Sequence, residues 1–348
     1  MNTGFRIGLA LGGGGAAALS YGGVLEEFVA AGIPIHCVAG TSAGAVVGAA
    51  YAANRLDDFH QVMTSLTRGR LFTLFDPTWG RGGLIDGRRA MDMLSPVIGT
   101  DIEDLRIPFA AVATDLDTGE EVVLDRGPVI DAVRASIAIP GVFRPRTIDS
   151  RVLVDGGLVN PIPVSVARQM GADFVIAVSI LRLRGVIEGD PASALSIQEL
   201  APAGDGAARS PEAEVEMVAT EQPCEPSLLD VLAKGSAVIQ AHIAAARLRD
   251  HPPDVFLSPR SEHIGIFELV RCAEAIEIGR VAARKALPGL LAAIEAAQRP
   301  PVSKLRSLFV RGAGKASRNL KPLRPHDTNG HEELAGQVAT TRTSTQET

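Results

Sequence analysis

The stretch Val38–Gly48, VAGTSAGAVVG, holds a single serine, Ser42, within the pattern Gly-Thr-Ser-Ala-Gly. A short apolar run over residues 33–39 precedes the serine, and a run over 43–53 that is rich in alanine and valine and free of charge and proline follows it. This order predicts a strand, a tight turn and a helix. A serine at such a corner presents its hydroxyl outward, beside the free N–H groups at the start of the helix.

Gly40 and Gly44 flank the serine and, because they lack side chains, would let the backbone turn without a clash. The pattern has a second interpretation, since a chain with 36 glycines in 348 residues produces short glycine patterns by chance. A glycine-rich turn between two buried elements would have the same sequence. The context of the motif has to decide between a nucleophile corner and a plain turn.

The composition favours an α/β fold with helices packed against a mostly parallel sheet. Hydrophobic residues make up 46% of the chain but aromatic residues only 4%, so the core must consist of closely packed alanine, valine, leucine and isoleucine. A length of 348 residues suffices for one large domain or two. The continuous apolar run over 174–180 is typical of a strand that is covered on both faces.

Charge and cysteine content exclude several classes of protein. The formal net charge of −6 gives no indication of nucleic-acid binding. The three widely spaced cysteines argue against a disulfide framework and a zinc site, and they fit a reducing compartment. The glycine-rich uncharged stretch at 7–25 makes a poor membrane helix, and the apolar run near the N-terminus is too short for a secretory signal. We therefore expect a cytoplasmic protein.

Periodicity predicts further elements along the chain. Strands are predicted at 6–11, 108–114, 121–124, 151–155 and 174–180, with an edge strand at 255–257. Helices are predicted at 19–31, 57–68, 86–98, 128–137, 163–171, 227–248, 267–286 and 288–298.

The glycine run Gly12–Gly15 follows the first predicted strand and allows a phosphate cradle, an oxyanion hole or only a tight turn. A P-loop would end in Gly-Lys-Ser/Thr, whereas this loop continues as Ala-Ala-Ala-Leu-Ser. A dinucleotide site would need a carboxylate at the end of the second strand, where this chain has Thr41 and Ser42. The oxyanion hole is therefore the preferred interpretation, because successive N–H groups without bulky side chains can point at a developing negative charge.

A serine nucleophile needs a base. Of the seven histidines, His263 is the best candidate, although it does not follow a strand of the predicted sheet. Asp155 ends a buried strand and is followed by two glycines, which leave room above it, but Asp-Gly is also a strong turn former. An aspartate with a pKa near 3.9 is a weak base for a hydroxyl, so this pairing requires a dry, apolar site that raises the pKa.

Three ordered motifs carry a resemblance to a known family: the glycine loop, Gly40–Gly44, and Ser136–Gly141 (SIAIPG) followed by Asp155–Pro163 (DGGLVNPIP). Together they resemble the patatin-like phospholipases, in their bacterial single-domain branch, over residues 6–180 and more weakly to about 298. The resemblance implies a three-layer α/β/α sandwich with a mostly parallel central sheet.

The resemblance also implies a Ser-Asp dyad hydrolase that cleaves esters of phospholipids or other acyl lipids through an acyl-enzyme, of phospholipase A or lysophospholipase type. Ser42 would be the nucleophile and Asp155 its base, with no metal and no cofactor. The amides around four loop residues would form the oxyanion hole: Gly13, Gly14, Gly15 and Ala16. Family members often carry Arg and Gly where this chain has Ala17 and Ala18. A catalytically weak or silent relative that binds lipid or a regulatory partner is therefore the alternative.

Residues 71–84 form a predicted loop with Phe72, Phe75 and Trp79, which would serve as a lid or acyl-chain wall, or would only fill the core. The hydrolase domain is expected at 5–298, with its catalytic motifs within 7–168.

Two flanking stretches differ in composition. Residues 185–226 contain nine acidic residues and one arginine and are predicted to be a flexible insertion. Residues 299–348 are predicted to be a disordered tail, basic and then polar. Its part 299–324 holds eight Lys or Arg and no acid, which indicates peripheral contact with anionic membrane or a plain solvated tail.

Overall fold

The computed structural model describes residues 4–74, 76–78, 82–181, 228–261 and 263–299. Phe75, Trp79 and the acidic stretch 185–226 lie outside the described residues, as does the predicted tail beyond Arg299.

The strands are short and mostly buried. Their bounds are β1 Ile7–Leu11, β2 Ile35–Thr41, β3 Gly83–Ile85, β4 Phe109–Asp115, β5 Glu121–Leu124, β6 Gly141–Phe143, β7 Arg146–Ile148, β8 Arg151–Asp155, β9 Phe174–Val178 and β10 Val255–Leu257. Among the described residues, eight of these strands form one sheet, in the order β10-β9-β1-β2-β4-β8-β7, with β5 paired to β4. Strands β3 and β6 form a separate parallel pair.

Strands β10, β9, β1, β2 and β4 pair in parallel, whereas β5 and β8 pair antiparallel with β4, and β7 pairs antiparallel with β8. Helices link its strands and cover them. They are α1 Ser20–Ala30, α2 Ala43–Ala52, α3 Leu56–Thr64, α4 Arg68–Leu74, α5 Arg88–Ile98, α6 Val129–Ser136, α7 Val164–Gln169, α8 Leu228–Asp250 and α9 Cys272–Gln298. In the part of the chain described, none of them is long and apolar enough to cross a bilayer.

The two largest apolar cores among the described residues lie on opposite faces of the sheet, because successive strand residues point to opposite sides. Leu9 and Leu11 belong to the larger core, with side chains from α1, α2, α3, α5, α6 and α9. Ala10 belongs to the smaller core, with side chains from α7 and α8. The three-layer α/β/α sandwich with a mostly parallel sheet is therefore confirmed.

The structure departs from the predicted elements in several places. Strands β3, β6 and β7 were not predicted, and the helix predicted over 57–68 ends at Thr64. The loop predicted over 71–84 is wrong at its start, where α4 reaches Leu74; the hydroxyl of Thr67 accepts a hydrogen bond from the N–H of Arg70 in the first turn of this helix. The helix break predicted before Pro288 is also wrong, since α9 is continuous. Buried side chains from α9 continue on both sides of that proline, and this packing outweighs the lost hydrogen bond.

Candidate active site

Ser42 occupies the corner between β2 and α2. Its backbone has φ 55° and ψ −126°, an angle pair that a non-glycine residue rarely adopts. The strand ends at Thr41 and the helix begins at Ala43. The N–H groups of Ala43 and Gly44 have no acceptor among the described residues, whereas the N–H of Ala45 donates to the carbonyl of Ser42 at 2.9 Å. The predicted strand, turn and helix are present, and the corner has the strain of a nucleophile elbow.

The glycines beside the serine allow close backbone contacts. A Cβ at Gly40 would lie 2.5 Å from the Cα of Ala45, and a Cβ at Gly44 would lie 2.2 Å from the carbonyl oxygen of Leu11. Neither space can hold a methyl group. The two glycines therefore allow α2 to fold back against the ends of β1 and β2.

Asp155 meets Ser42 at this corner. Its Oδ2 accepts a hydrogen bond of 2.7 Å from Ser42 Oγ, and its Oδ1 accepts one of 2.7 Å from the N–H of Gly157. The aspartate backbone is also held, because its N–H donates to the carbonyl of Ala138 and its carbonyl accepts from the hydroxyl of Thr114. Both carboxylate oxygens are thus fixed, one toward the serine.

Burial changes the acid–base character of this carboxylate. Asp155 is 1% exposed and Ser42 is 7% exposed. Loss of hydration raises the pKa of Asp155 to about 6, against the opposing effect of its hydrogen bonds from Ser42 and Gly157. The site thus meets the requirement for a stronger base than an exposed aspartate, while the carboxylate is still ionised at neutral pH.

The glycine loop lies beside the serine. A Cβ at Gly13 would lie 3.4 Å from the Cβ of Ser42. The N–H of Gly13 donates to Pro161 O at 3.1 Å, and the N–H of Ala16 donates to Ile266 O at 2.9 Å. The N–H groups of Gly14 and Gly15 have no acceptor among the residues described.

Those two glycines also have positive φ values, of 151° for Gly14 and 59° for Gly15. Of the four predicted oxyanion donors, these two have N–H groups that remain available to a ligand. The other two hold the loop to neighbouring chain segments. Ala17 and Ala18 are buried in the larger core, so this loop brings no charge to the site.

Several polar groups with no role predicted from the sequence also shape the corner. Ser136 Oγ accepts a 2.8 Å hydrogen bond from the N–H of Ser42 and donates to the carbonyl of Val112. The hydroxyl of Thr41 donates to the carbonyl of Asn160 at 2.8 Å. Ser136 and Asn160 lie within the motifs SIAIPG and DGGLVNPIP, which was the available signal that these residues act near the serine.

An apolar cavity of about 160 Å³ adjoins the serine. Ser42 lines it together with Gly15, Ala16 and Ala43. Its wall is formed by side chains that include Val46, Met63, Leu71, Leu74, Ile137 and Phe143. The predicted loop therefore contributes Leu71 and Leu74 to the cavity through α4, while Phe72 is 77% exposed.

The histidine alternative has no support in the geometry. His263 is exposed and its Nε2 lies 3.0 Å from Glu274 Oε1, on the surface. Among the residues that the structure describes, no histidine lines the cavity next to the serine. Within the described ranges, no three His, Cys, Asp or Glu side chains are grouped so as to hold a metal ion.

Fold and site together define an α/β/α protein with a serine–aspartate pair on a strand–helix corner. Residues 9–168 match the family described as patatin-like phospholipase. An uncharacterized NTE family protein of Mycobacterium tuberculosis is 43% identical over 176 residues, which are 50% of this chain and 49% of that protein. Patatin-like phospholipase domain-containing protein 7 of Rattus norvegicus is 34% identical over 189 residues, 51% of this chain and 14% of that protein.

A second uncharacterized NTE family protein of Mycobacterium tuberculosis is 30% identical over 305 residues, which are 82% of this chain and 47% of that protein. This chain therefore spans about half the length of the mycobacterial relatives and a small part of the rat protein. The chain belongs to the patatin-like phospholipase family.

Proposed function

We propose that this chain is a serine esterase of the phospholipase A or lysophospholipase type, which hydrolyses acyl lipids. Ser42 and Asp155 form its catalytic dyad, and residues 5–298 form the hydrolase domain. One observation carries the proposal: Ser42, whose Oγ donates a 2.7 Å hydrogen bond to Asp155 Oδ2, lines an apolar cavity. A nucleophile, its base and a space for a hydrocarbon chain are then in one place.

The first step transfers the acyl group to the enzyme. Asp155 Oδ2 takes the proton of Ser42 Oγ as this oxygen attacks the ester carbonyl carbon. The tetrahedral intermediate collapses when the bond from carbon to the alcohol oxygen breaks, and the alcohol leaves with the proton from Asp155. The product is an ester between the acyl group and Ser42.

The second step repeats this chemistry with water. Asp155 takes a proton from a water molecule, the water oxygen attacks the acyl-enzyme carbonyl, and Ser42 recovers its proton as the carboxylic acid is released. In both steps the carbonyl oxygen becomes negative. The N–H groups of Gly14 and Gly15 and the N-terminal end of α2 can stabilise that charge.

The apolar cavity supports a hydrocarbon acyl group as the part of the substrate that binds beside Ser42. Its wall consists mainly of leucine, isoleucine, methionine and phenylalanine side chains. Apolar cavities of roughly 150 Å³ hold a molecule of the size of benzene, so this cavity holds a short acyl segment in the present conformation. A longer chain would extend past Leu71 and Leu74 of α4.

The alternative function is a lipid-binding protein with little or no turnover. It is favoured by the bonds from the N–H groups of Gly13 and Ala16 to other backbone carbonyls, which leave fewer donors for an oxyanion. Loss of one oxyanion donor typically reduces turnover by about a hundredfold or more. The two functions differ in turnover, whereas both allow lipid to bind.

Hydrolysis of p-nitrophenyl butyrate and of a panel of lipid classes tests the proposal. We expect turnover by the wild-type protein and none by Ser42→Ala, with Ser65→Ala as the matched control because Ser65 lies at the exposed end of α3. No turnover of any ester by the wild-type protein would favour the binding function. Equal turnover by Ser42→Ala would exclude Ser42 as nucleophile.

A further inference from the structure

Helix α8 packs over the segment that follows Asp155. Arg247 Nε donates to the carbonyl of Val159 at 3.0 Å, and its guanidinium pairs with Glu121 at 3.1 Å. Residues 228–250 lie beyond the stretch 9–168 that matches the family. A helix outside the matched stretch is therefore anchored beside the serine–aspartate pair.

Gln240 of α8 extends from this helix toward the pair. A Cβ at Gly157 would lie 2.6 Å from Gln240 Cδ and 2.7 Å from its Oε1, so the carboxamide rests on the bare Cα of that glycine. The N–H of Gly157 is the group that holds Asp155 Oδ1. Gly157 thus lies between Gln240 and the carboxylate of Asp155.

Gln240 also approaches the glycine loop. A Cβ at Gly13 would lie 3.5 Å from Gln240 Oε1 and 3.4 Å from the Cβ of Ser42. The carboxamide and the serine therefore lie next to the same point of the loop. Gln240 thus gives this side of Ser42, where Gly13 lies, one polar side chain.

This polar side is distinct from the apolar cavity. Gly15, Ala16 and Ala43 line the cavity together with Ser42, whereas Gln240 and the two glycines that it contacts do not. The carbonyl carbon of an ester carries the acyl chain on one side and the alcohol oxygen on the other. An ester with its acyl chain in the cavity would then have its alcohol on the side of Ser42 that does not line the cavity, where Gln240 lies.

The carboxamide has hydrogen-bonding capacity to offer an alcohol. Its Nε2 donates to Ser236 Oγ at 3.0 Å, and no other partner of the carboxamide occurs among the described residues. A serine hydroxyl can donate as well as accept, so the carboxamide can turn over and keep this bond. Gln240 can then present either its oxygen or its N–H group to a ligand.

We propose that Gln240 forms a leaving-group subsite that binds a hydroxyl next to the scissile ester, as on the glycerol of a monoacylglycerol or a lysophospholipid. This inference rests on the proposed function, since it assumes that Ser42 attacks an ester whose acyl chain fills the cavity. It narrows the substrate class to polyol esters that keep a free hydroxyl next to the scissile ester, which favours monoacyl over diacyl glycerol esters.

The test compares esters that share one acyl chain. Three hexanoyl esters are used: p-nitrophenyl hexanoate, which has no hydroxyl on its alcohol, 1-monohexanoylglycerol and 1-hexanoyl-lysophosphatidylcholine. Gln240→Met keeps the length of the side chain and removes its hydrogen bonds. We expect kcat/KM to fall roughly five- to tenfold on the glycerol esters and less than about twofold on the p-nitrophenyl ester.

His242→Ala is the matched control, because His242 is exposed on the same helix. Gln240→Ala, which adds no bulk near Gly157, is the second variant if Gln240→Met does not fold. A fall in kcat/KM on only one of the two glycerol esters would show that the subsite recognises the hydroxyl of that ester. An equal loss on all three esters, or no loss on any glycerol ester, would overturn the subsite.

Fluorophosphonate labelling separates this result from failure of the proposed function. Variants of Gln240 should label on Ser42 like the wild-type protein, because the dyad remains. A wild-type protein that does not label would overturn the proposed function and the subsite with it. If the wild-type protein is labelled and the Gln240 variants lose kcat/KM equally on all three esters, the subsite alone is overturned.

Discussion

Thr41 and Asp155 occupy consecutive positions along one edge of β4. Thr41 lies opposite Val112, and Asp155 lies opposite Ala113. The other edge of β4 is taken by β5 at both positions, so β2 and β8 share one edge and meet end to end. Because β8 runs antiparallel to β4, the C-terminal ends of β2 and β8 face each other.

This arrangement explains how Ser42, the residue after Thr41, reaches a carboxylate 113 positions away. The opposite directions of β2 and β8 along this edge of β4 bring Ser42 and Asp155 together.

The pH dependence of hydrolysis should follow the ionisation of Asp155. The carboxylate must be ionised to accept the serine proton, and burial raises its pKa to about 6. We expect kcat/KM for p-nitrophenyl butyrate to fall tenfold per unit below about pH 6. A profile that stays flat down to about pH 4.5 would exclude this aspartate as the base.

Burial of Asp155 should also lower stability as the pH rises. Between its usual pKa of 3.8 and about 6, the folded protein keeps a proton that the unfolded chain has released. The free energy of unfolding therefore falls with rising pH in this window, by up to about 1.4 kcal/mol per unit. Asp155→Asn lacks this titration. Relative to the wild-type protein, it should gain about 2–3 kcal/mol of stability between pH 4 and neutral pH.

Urea unfolding of both proteins at several pH values measures this difference. A stability difference that does not change with pH would mean that the carboxylate titrates alike in the folded and unfolded states.

Gly44→Ala should destabilise the fold strongly. The added methyl group would lie 2.2 Å from the Leu11 carbonyl oxygen, so the start of α2 must move away from β1. We expect a loss of about 2–4 kcal/mol in the free energy of unfolding, together with lost turnover. Gly69→Ala is the control: Gly69 has open space around it within α4, and alanine there should be neutral or stabilising by up to about 1 kcal/mol. Equal effects of both changes would contradict the close packing at the elbow.

Val46→Phe should shorten the acyl chains that the protein accepts. Val46 lines the cavity one helical turn after Ser42, and a larger side chain there reduces the space for carbon atoms. We expect kcat/KM for p-nitrophenyl hexanoate to fall at least about tenfold, with little change for the acetate. Val29→Phe, on an exposed position of α1, is the control. An unchanged preference for chain length would place the acyl group elsewhere.

Local patterns were sufficient to predict the parts of the site but not their contacts. The strand, corner and helix around Ser42 follow from apolar runs interrupted by glycine, and Asp155 follows from its place at the end of a buried strand. The meeting of the two depends on which edge of β4 is used by β8, and sequence periodicity carries no information on that choice.

The same limit applies to the oxyanion loop. Its glycines are visible in the sequence, but the acceptors of the Gly13 and Ala16 N–H groups are carbonyls of Pro161 and Ile266, far along the chain. Helix α9 continues through Pro288 because packing on both sides overrides the local preference. Gln240 gave no signal, since a glutamine on a helix is usually solvated.

The most direct test of the central claim is covalent labelling of the protein with a fluorophosphonate probe, followed by mass spectrometry of the peptides. We expect one modified residue, Ser42, with labelling lost in Ser42→Ala and strongly slowed in Asp155→Asn. Labelling that persists in Ser42→Ala, or that maps to another residue, would contradict it.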